Sequence, residues 1–352
     1  MPRTALVLGA GGTVGIAYHA GVAKALMDSG LDPAGVDLVV GTSAGAIVGS
    51  ILRSGADMDE IWRQALADQN PFMPGEPFFR PDVIFSQGWR TPLGLGRRLI
   101  GSGYVAQRTV MHWPTITPPA ALQRFYRGGL GSVTEQRDEF VRWAGEDWPQ
   151  GQLRLCAFDI VTGRRFVLGN SEEPRVALPD AMRASAAVPV LYPPVRCGRR
   201  LLIDGTAHSS TNLDIAVKEG AELIIVAAPM ALDREDLPPA HLRVHREFFE
   251  RRMACEIRKA EKAGARVLTI RPSSQETSVH GLNMLRSGGH SQVAELSYST
   301  TREVLASSAG VDFAEAWNSM HSDFAERDLP ERDLPELDLP ELDLDGSTES
   351  AA

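Results

Sequence analysis

The chain has 352 residues, 43% apolar and 23% charged, with 33 glycines and 23 prolines. That composition excludes a chain disordered throughout, and the length suffices for one large α/β domain or two smaller ones with a sizeable core. The net charge of −9 resides in residues 321–352, where eleven acidic side chains stand against two arginines. The rest of the chain is neutral and has no charge excess to favour nucleic acid.

In the amino-acid sequence no run approaches the ~18 apolar residues of a membrane span. Cys156, Cys197 and Cys255 are too few and too scattered for a zinc site or a disulfide framework, which points to a reducing compartment. Ala5–Leu8 is a short apolar run ending in glycine and reads as a buried parallel strand. It is too short for the apolar core of a secretory signal, so a cytoplasmic protein is expected. Gly9–Gly15 reads as a loop. From Ile16 the spacing of Ile16, Ala20, Ala23 and Met27 predicts a helix closed by Gly30. Asp37–Val40 predicts a second strand, again ending in glycine, and Ala44–Leu52 a helix of small apolar residues. Strand–loop–helix, met twice, implies a parallel sheet with helices on its faces.

Residues 70–150 break this alternation. They are rich in proline, glycine and aromatics, Phe72, Phe78, Phe79, Trp89, Trp113, Phe125 and Tyr126 among them, and read as an insertion or cap with short helices. Regular pattern returns with a strand at Leu153–Asp159, a turn at Thr162-Gly163 and a returning strand at Arg165–Leu168. Leu201–Ile203, Leu223–Ala228 and Val267–Ile270 predict further strands. Residues 239–263 predict a long charged helix, and Ser291–Ser307 another. From Arg327 to Leu344 a five-residue acidic unit with Leu and Pro repeats. Proline every fifth residue forbids a helix or central strand, so residues 321–352 are expected to be a disordered acidic tail. Its regular leucine spacing would suit a protein partner.

Three stretches carry chemistry. Gly41-Thr42-Ser43-Ala44-Gly45 follows a strand and opens a helix, the setting a G-x-S-x-G nucleophile elbow requires. Such a turn presents the Ser43 hydroxyl clear of the sheet, with a helix N-terminus behind it to favour developing negative charge. A plain strand-to-helix turn with a serine N-cap is the alternative. Gly9–Gly15 would supply backbone donors, at Gly11 and Gly12, to an oxyanion. Gly9, Gly12 and Gly15 also resemble the nucleotide-binding turn of some NAD(P) reductases. The strict spacing fails at Val14, however, and no acid ends the second strand. Leu201-Leu202-Ile203-Asp204-Gly205-Thr206 delivers a carboxylate at a strand end, a base for Ser43 if burial raises its pKa. Among the histidines only His19 and His208 lie near these loops.

Together these stretches resemble the patatin-like phospholipases, over roughly residues 4–230. The Gly-rich loop with Ala20-Gly21-Val22, the Gly41–Gly45 motif and the hairpin near Asp159 occur in the family's order. Ala184-Ser185-Ala186-Ala187-Val188-Pro189, Pro193-Pro194 and Asp204-Gly205 follow, and the helix with Tyr298 and Thr301 is similar to the family's C-terminal helix. The resemblance implies a three-layer α/β/α fold with a mostly parallel central sheet, spanning residues 1–320. It implies a Ser43–Asp204 dyad that hydrolyses lipid esters through an acyl-enzyme. The N–H groups of Gly11, Gly12 and Ala44 would form the oxyanion hole, with Gly9, Gly15, Gly41, Gly45 and Gly205 supporting the turns. Neither metal nor organic cofactor is implied, and contact with membrane or lipid aggregate would be peripheral. The sequence departs from the family at Val14, where a cation is usual, and at Thr206, where glycine or alanine is. Those two departures would suit a lipid-binding module of the same fold with little turnover.

Overall fold

Three five-residue runs, Thr4–Leu8 (β1), Leu38–Thr42 (β2) and Leu223–Ala227 (β7), are buried at every position. Uninterrupted burial is what a strand covered on both faces needs. A computed structural model, describing residues 3–68, 134–169, 176–286 and 288–327, places them at the centre of an eight-stranded sheet. The other strands are Gln152–Asp159 (β3), Arg164–Leu168 (β4), Val195–Cys197 (β5), Arg200–Asp204 (β6) and Arg266–Ile270 (β8). The order is β5-β6-β3-β2-β1-β7-β8, with β4 also paired to β3. Pairing is parallel from β3 through β8 along that path and antiparallel for β3–β6, β5–β6 and β3–β4.

Side-chain alternation splits the core into two layers. Leu6, Leu8, Val39 and Leu155 face one cluster, which holds the helices Gly12–Asp28 (α1), Ala44–Arg53 (α2) and Met58–Leu66 (α3). Thr134–Ala144 (α4), Leu178–Ser185 (α5) and His290–Ala306 (α9) pack on the same side. Ala5, Val7, Leu38 and Val40 face the other cluster, with Asp214–Lys218 (α6) and Ala240–Lys262 (α7). Ser274–His280 (α8) follows β8, and Ser308–Arg327 (α10) follows α9. The fold is three-layer α/β/α with a mostly parallel mixed sheet.

The register of β3 positions the site. Its residues Gln152–Cys156 pair with β2, and Ala157–Asp159 pair with β6. Both partners overlap β4 along β3, so both lie on the edge of β3 opposite β4. Strand β2 therefore ends at Thr42, opposite Cys156, where antiparallel β6 ends at Asp204, opposite Ala157. Two strand ends meet head to head, bringing Ser43 to Asp204.

Three expectations differ in detail. Helix α1 begins at Gly12, so the second half of the glycine loop is its first turn. Residues 134–144, read as part of the insertion, form α4, whose Phe140 is buried in the core; residues 69–133 lie outside the described residues. Helix α10 continues to Arg327, so the first residues assigned to the tail are helical, and 328–352 lie outside the described residues. Among the described residues no helix is long and apolar enough to cross a membrane.

Candidate active site

Ser43 joins β2 to α2 at φ 56°, ψ −117°, a left-handed backbone that costs a non-glycine residue of order 1–3 kcal/mol. Glycine is required beside it. A Cβ on Gly45 would stand 2.0 Å from the Leu8 carbonyl oxygen, and one on Gly41 2.6 Å from Ala46 Cα. This close approach lets the Gly45 N–H donate to the Gly9 carbonyl at 3.2 Å, tying the two glycine loops together. Gly15 packs on Ala44 across the same seam. The strained serine is held from behind. Its N–H donates to Ser185 Oγ at 3.1 Å, and Ser185 Oγ donates to the Cys156 carbonyl at 2.7 Å. Thr42 Oγ1 accepts from Asn212 Nδ2 at 3.0 Å, and Asn212 in turn accepts from Arg165 at 3.1 Å.

Asp204 comes from the opposite strand end. Its N–H donates to the Ala187 carbonyl at 3.0 Å, and a Cβ on Gly205 would stand 2.3 Å from the Cys156 oxygen. The Ser43 side chain lies near enough to the Asp204 carboxyl to favour its charged form. Thr206 donates to Oδ1 twice, from N at 2.8 Å and from Oγ1 at 2.6 Å. Both residues are sequestered, Ser43 at 4% exposure and Asp204 at 2%. Burial pushes the Asp204 pKa above the usual carboxylate value, opposed by Ser43 and by the bonds from Thr206. The departure at Thr206 thus adds a hydroxyl donor that a glycine or alanine there would lack.

Beside the Ser43 elbow lies the glycine loop. Gly9 N–H donates to Ala227 O at 2.9 Å and Ala10 N–H to Ser210 O at 2.8 Å. Val14 N–H and Thr13 Oγ1 both reach Met284 O at 3.2 Å. The N–H groups of Gly11, Gly12 and Ala44 donate to no other described residue. Gly12 has φ +60°, and a Cβ on it would meet Met284 O at 2.4 Å. Val14 is fully buried in the core cluster, so the place where the family carries a cation is here part of the apolar interior. His19 is buried beneath the loop, its Nε2 2.7 Å from Gly9 O, and burial pushes its pKa down to about 4. It is therefore neutral near pH 7 and serves the loop carbonyl. His208 Nε2 stands 3.3 Å from Arg252 on α7.

Several contributors carried no motif. Ser185 lies in the Ala184–Pro189 stretch, and a single hydroxyl in a run of alanines is its only signal. Asn212, at φ 53°, had none. Pro229 and Met284 act through ring packing and a backbone carbonyl, which no side-chain pattern announces.

The sequence profile described as patatin-like phospholipase matches residues 6–217. The chain belongs to the patatin-like phospholipase family. A patatin-like phospholipase domain-containing protein of Phaeosphaeria nodorum is 28% identical over 233 residues, covering 60% of this chain and 26% of the relative. The chain thus spans about a quarter of that relative. Among solved structures, VipD from Legionella pneumophila matches at 15% identity and TM-score 0.39, covering 87% of this chain and 67% of VipD. The ExoU–SpcU complex of the type III secretion system of Pseudomonas aeruginosa matches at 17% identity and TM-score 0.32, covering 93% of this chain and 58% of the matched one.

Proposed function

We propose that this family member is a lipid acyl hydrolase, a serine esterase of phospholipase A type, working through a Ser43–Asp204 dyad. One observation carries the reading: a serine held at positive φ on a strand–helix elbow, set where the next strand end brings a buried carboxyl of raised pKa. Asp204 takes the Ser43 proton as Oγ attacks the ester carbonyl. The oxyanion forms against the N–H groups of Gly11, Gly12 and Ala44, whose lack of other acceptors suits that task. The alcohol or lysolipid leaves with the proton from Asp204. Water, activated by Asp204 in turn, releases the fatty acid from the acyl-serine. Two bonds from Thr206 engage Oδ1, so the other oxygen is the one we assign to proton transfer.

The test is a panel of lipid classes and a short soluble ester, with Ser43→Ala as blank and a fluorophosphonate probe alongside. Ser43→Ala should fold normally, escape labelling and lose on the order of 10⁴-fold in kcat. Near wild-type hydrolysis in that variant would refute the assignment.

A further inference from the structure

Four large apolar side chains are at least half exposed, more than any other among the described residues: Leu237 at 50%, Val244 at 81%, Phe248 at 70% and Leu282 at 63%. A single exposed leucine needs no explanation. These four share one end of the molecule. Val244 and Phe248 stand one turn apart on the outer face of α7, Leu237 lies in the segment leading into that helix, and Leu282 lies just past α8. Arg246, buried on the inner face of α7 between Val244 and Phe248, ties these segments together. It donates to the carbonyls of Pro229 at 2.7 Å and Ala231 at 3.0 Å and meets His280 Nδ1 at 3.0 Å. Pro229 in turn lies against Gly11, where a Cβ would come within 2.8 Å of its ring. The exposed residues therefore ride on the segments that frame the glycine loop, at the end of the sheet where Ser43 and Asp204 meet.

The charge on α7 is one-sided. Its exposed basic residues are Arg251, Arg252, Arg258, Lys259 and Lys262, against one exposed acid, Glu261. Glu250 and Glu256 are turned inward. Arg251 pairs with Glu247 at 3.0 Å and Arg252 with Glu256 at 3.6 Å, yet their side chains stay 74% and 46% exposed. Val244, Phe248, Arg251 and Arg252 lie on one outer face of α7, so a single exposed surface carries both apolar and basic side chains. Phe248 lies about 6 Å along the axis from Val244, and Arg251 about 4.5 Å further, so the apolar and basic side chains are near neighbours.

We propose that this face of α7, with Leu237 and Leu282, docks on an anionic bilayer. Val244 and Phe248 enter the boundary between headgroups and acyl chains, and Arg251 and Arg252 meet lipid phosphates. The proposal rests on the lipid-hydrolase reading of the Ser43 centre, since it turns the glycine loop toward the surface that would supply substrate.

Co-sedimentation of the full chain with vesicles of phosphatidylcholine, alone or mixed with an equal part of phosphatidylglycerol, tests it. Hydrolysis of a short soluble ester and a melting curve are recorded in parallel. The wild type should bind the mixed vesicles more tightly. Val244→Ser with Phe248→Ser should weaken binding to both vesicle types about tenfold or more. Arg251→Gln with Arg252→Gln should weaken only binding to mixed vesicles, by about tenfold, with the difference vanishing at 0.5 M salt. Both variants should melt and cleave the soluble ester as the wild type does. Vesicle binding unchanged in the apolar double variant would overturn the proposal. So would a wild type that binds neither vesicle, or variants that merely split a dimer of this chain. Vesicle binding through this face in a protein that cleaves no ester would leave the docking surface standing and refute the hydrolase reading instead.

Discussion

Replacing Ser185 by alanine removes one oxygen and breaks two bonds, both fully buried. The Ser43 N–H loses its acceptor at 3.1 Å and the Cys156 carbonyl its donor at 2.7 Å. Cys156 lies within the sheet and its carbonyl has a second lone pair, so the stranded Ser43 N–H is the larger loss. A buried group left unsatisfied costs about 1–3 kcal/mol, so the variant should be less stable by about 2–3 kcal/mol. For a domain of about 320 residues that is a fall in Tm of about 3–5 °C. The same oxygen helps hold Ser43 at φ 56°, and a strained backbone persists only where its surroundings over-determine it. Once released, the serine can relax away from Asp204, and a misplacement of order 1 Å at a nucleophile costs up to about 10²-fold in rate. Differential scanning calorimetry and soluble-ester kinetics measure both effects. Ser50→Ala is the control: its hydroxyl is equally buried, but it donates at 2.8 Å to Ala46 O within α2, and its loss should cost less than about 1 kcal/mol with unchanged kcat. A Ser185→Ala protein that melts and turns over like the control would refute the claim that the elbow is held from behind.

Three further outcomes follow from buried charge. Asp204→Asn should abolish hydrolysis yet melt above the wild type at neutral pH. A carboxyl whose folded pKa is raised contributes stability that is full below about pH 4 and is lost as pH rises through the folded value, so the variant's advantage should grow across that window. Melting curves taken at a series of pH values would contradict this if the gap stayed constant or reversed. In the wild type kcat for a soluble ester should rise with pH over the same window, as the carboxylate forms. Arg246→Met should destabilise by about 3 kcal/mol, because three buried partners lose their donor. It should also lower kcat more than it raises KM, since Pro229 backs Gly11; equal stability in urea denaturation would refute it.

How much of this was legible in the sequence depended on whether a residue works through its own side chain and near neighbours. β1, β2 and β7 were readable because strands buried on both faces must be continuous apolar runs. Ser43 and Asp204 stand out as candidates in the sequence because each comes at the end of a short apolar run with glycine within two residues. Their meeting does not, since it depends on β2 and β6 sharing one edge of β3, and no local pattern encodes register between distant strands. The sequence hides the first turn of α1 because glycine is a poor helix former, whereas here Gly12 is needed for its φ of +60° and for the approach of Met284 O. Helix α7 was found by its length and charge, but composition could not tell that Arg246, Glu250 and Glu256 point inward while Val244 and Phe248 point out.

The family profile ends at residue 217, but the physical unit does not. Tyr18, buried in α1, donates to Ile270 O at 3.1 Å, and Val14 donates to Met284 O. At Gly21 the close packing of α1 on α9 leaves no room for a side chain, since a Cβ would stand 2.2 Å from Ala294 O. Interiors packed this closely have no slack to absorb the loss of a neighbour. The helix that presents the glycine loop is therefore shaped on one side by the matched segment and on the other by β8, the loop after α8, and α9. The N–H groups of Gly11 and Gly12 are aimed by residues from both, so the geometry proposed for the oxyanion site belongs to the whole body from Thr4 to α9.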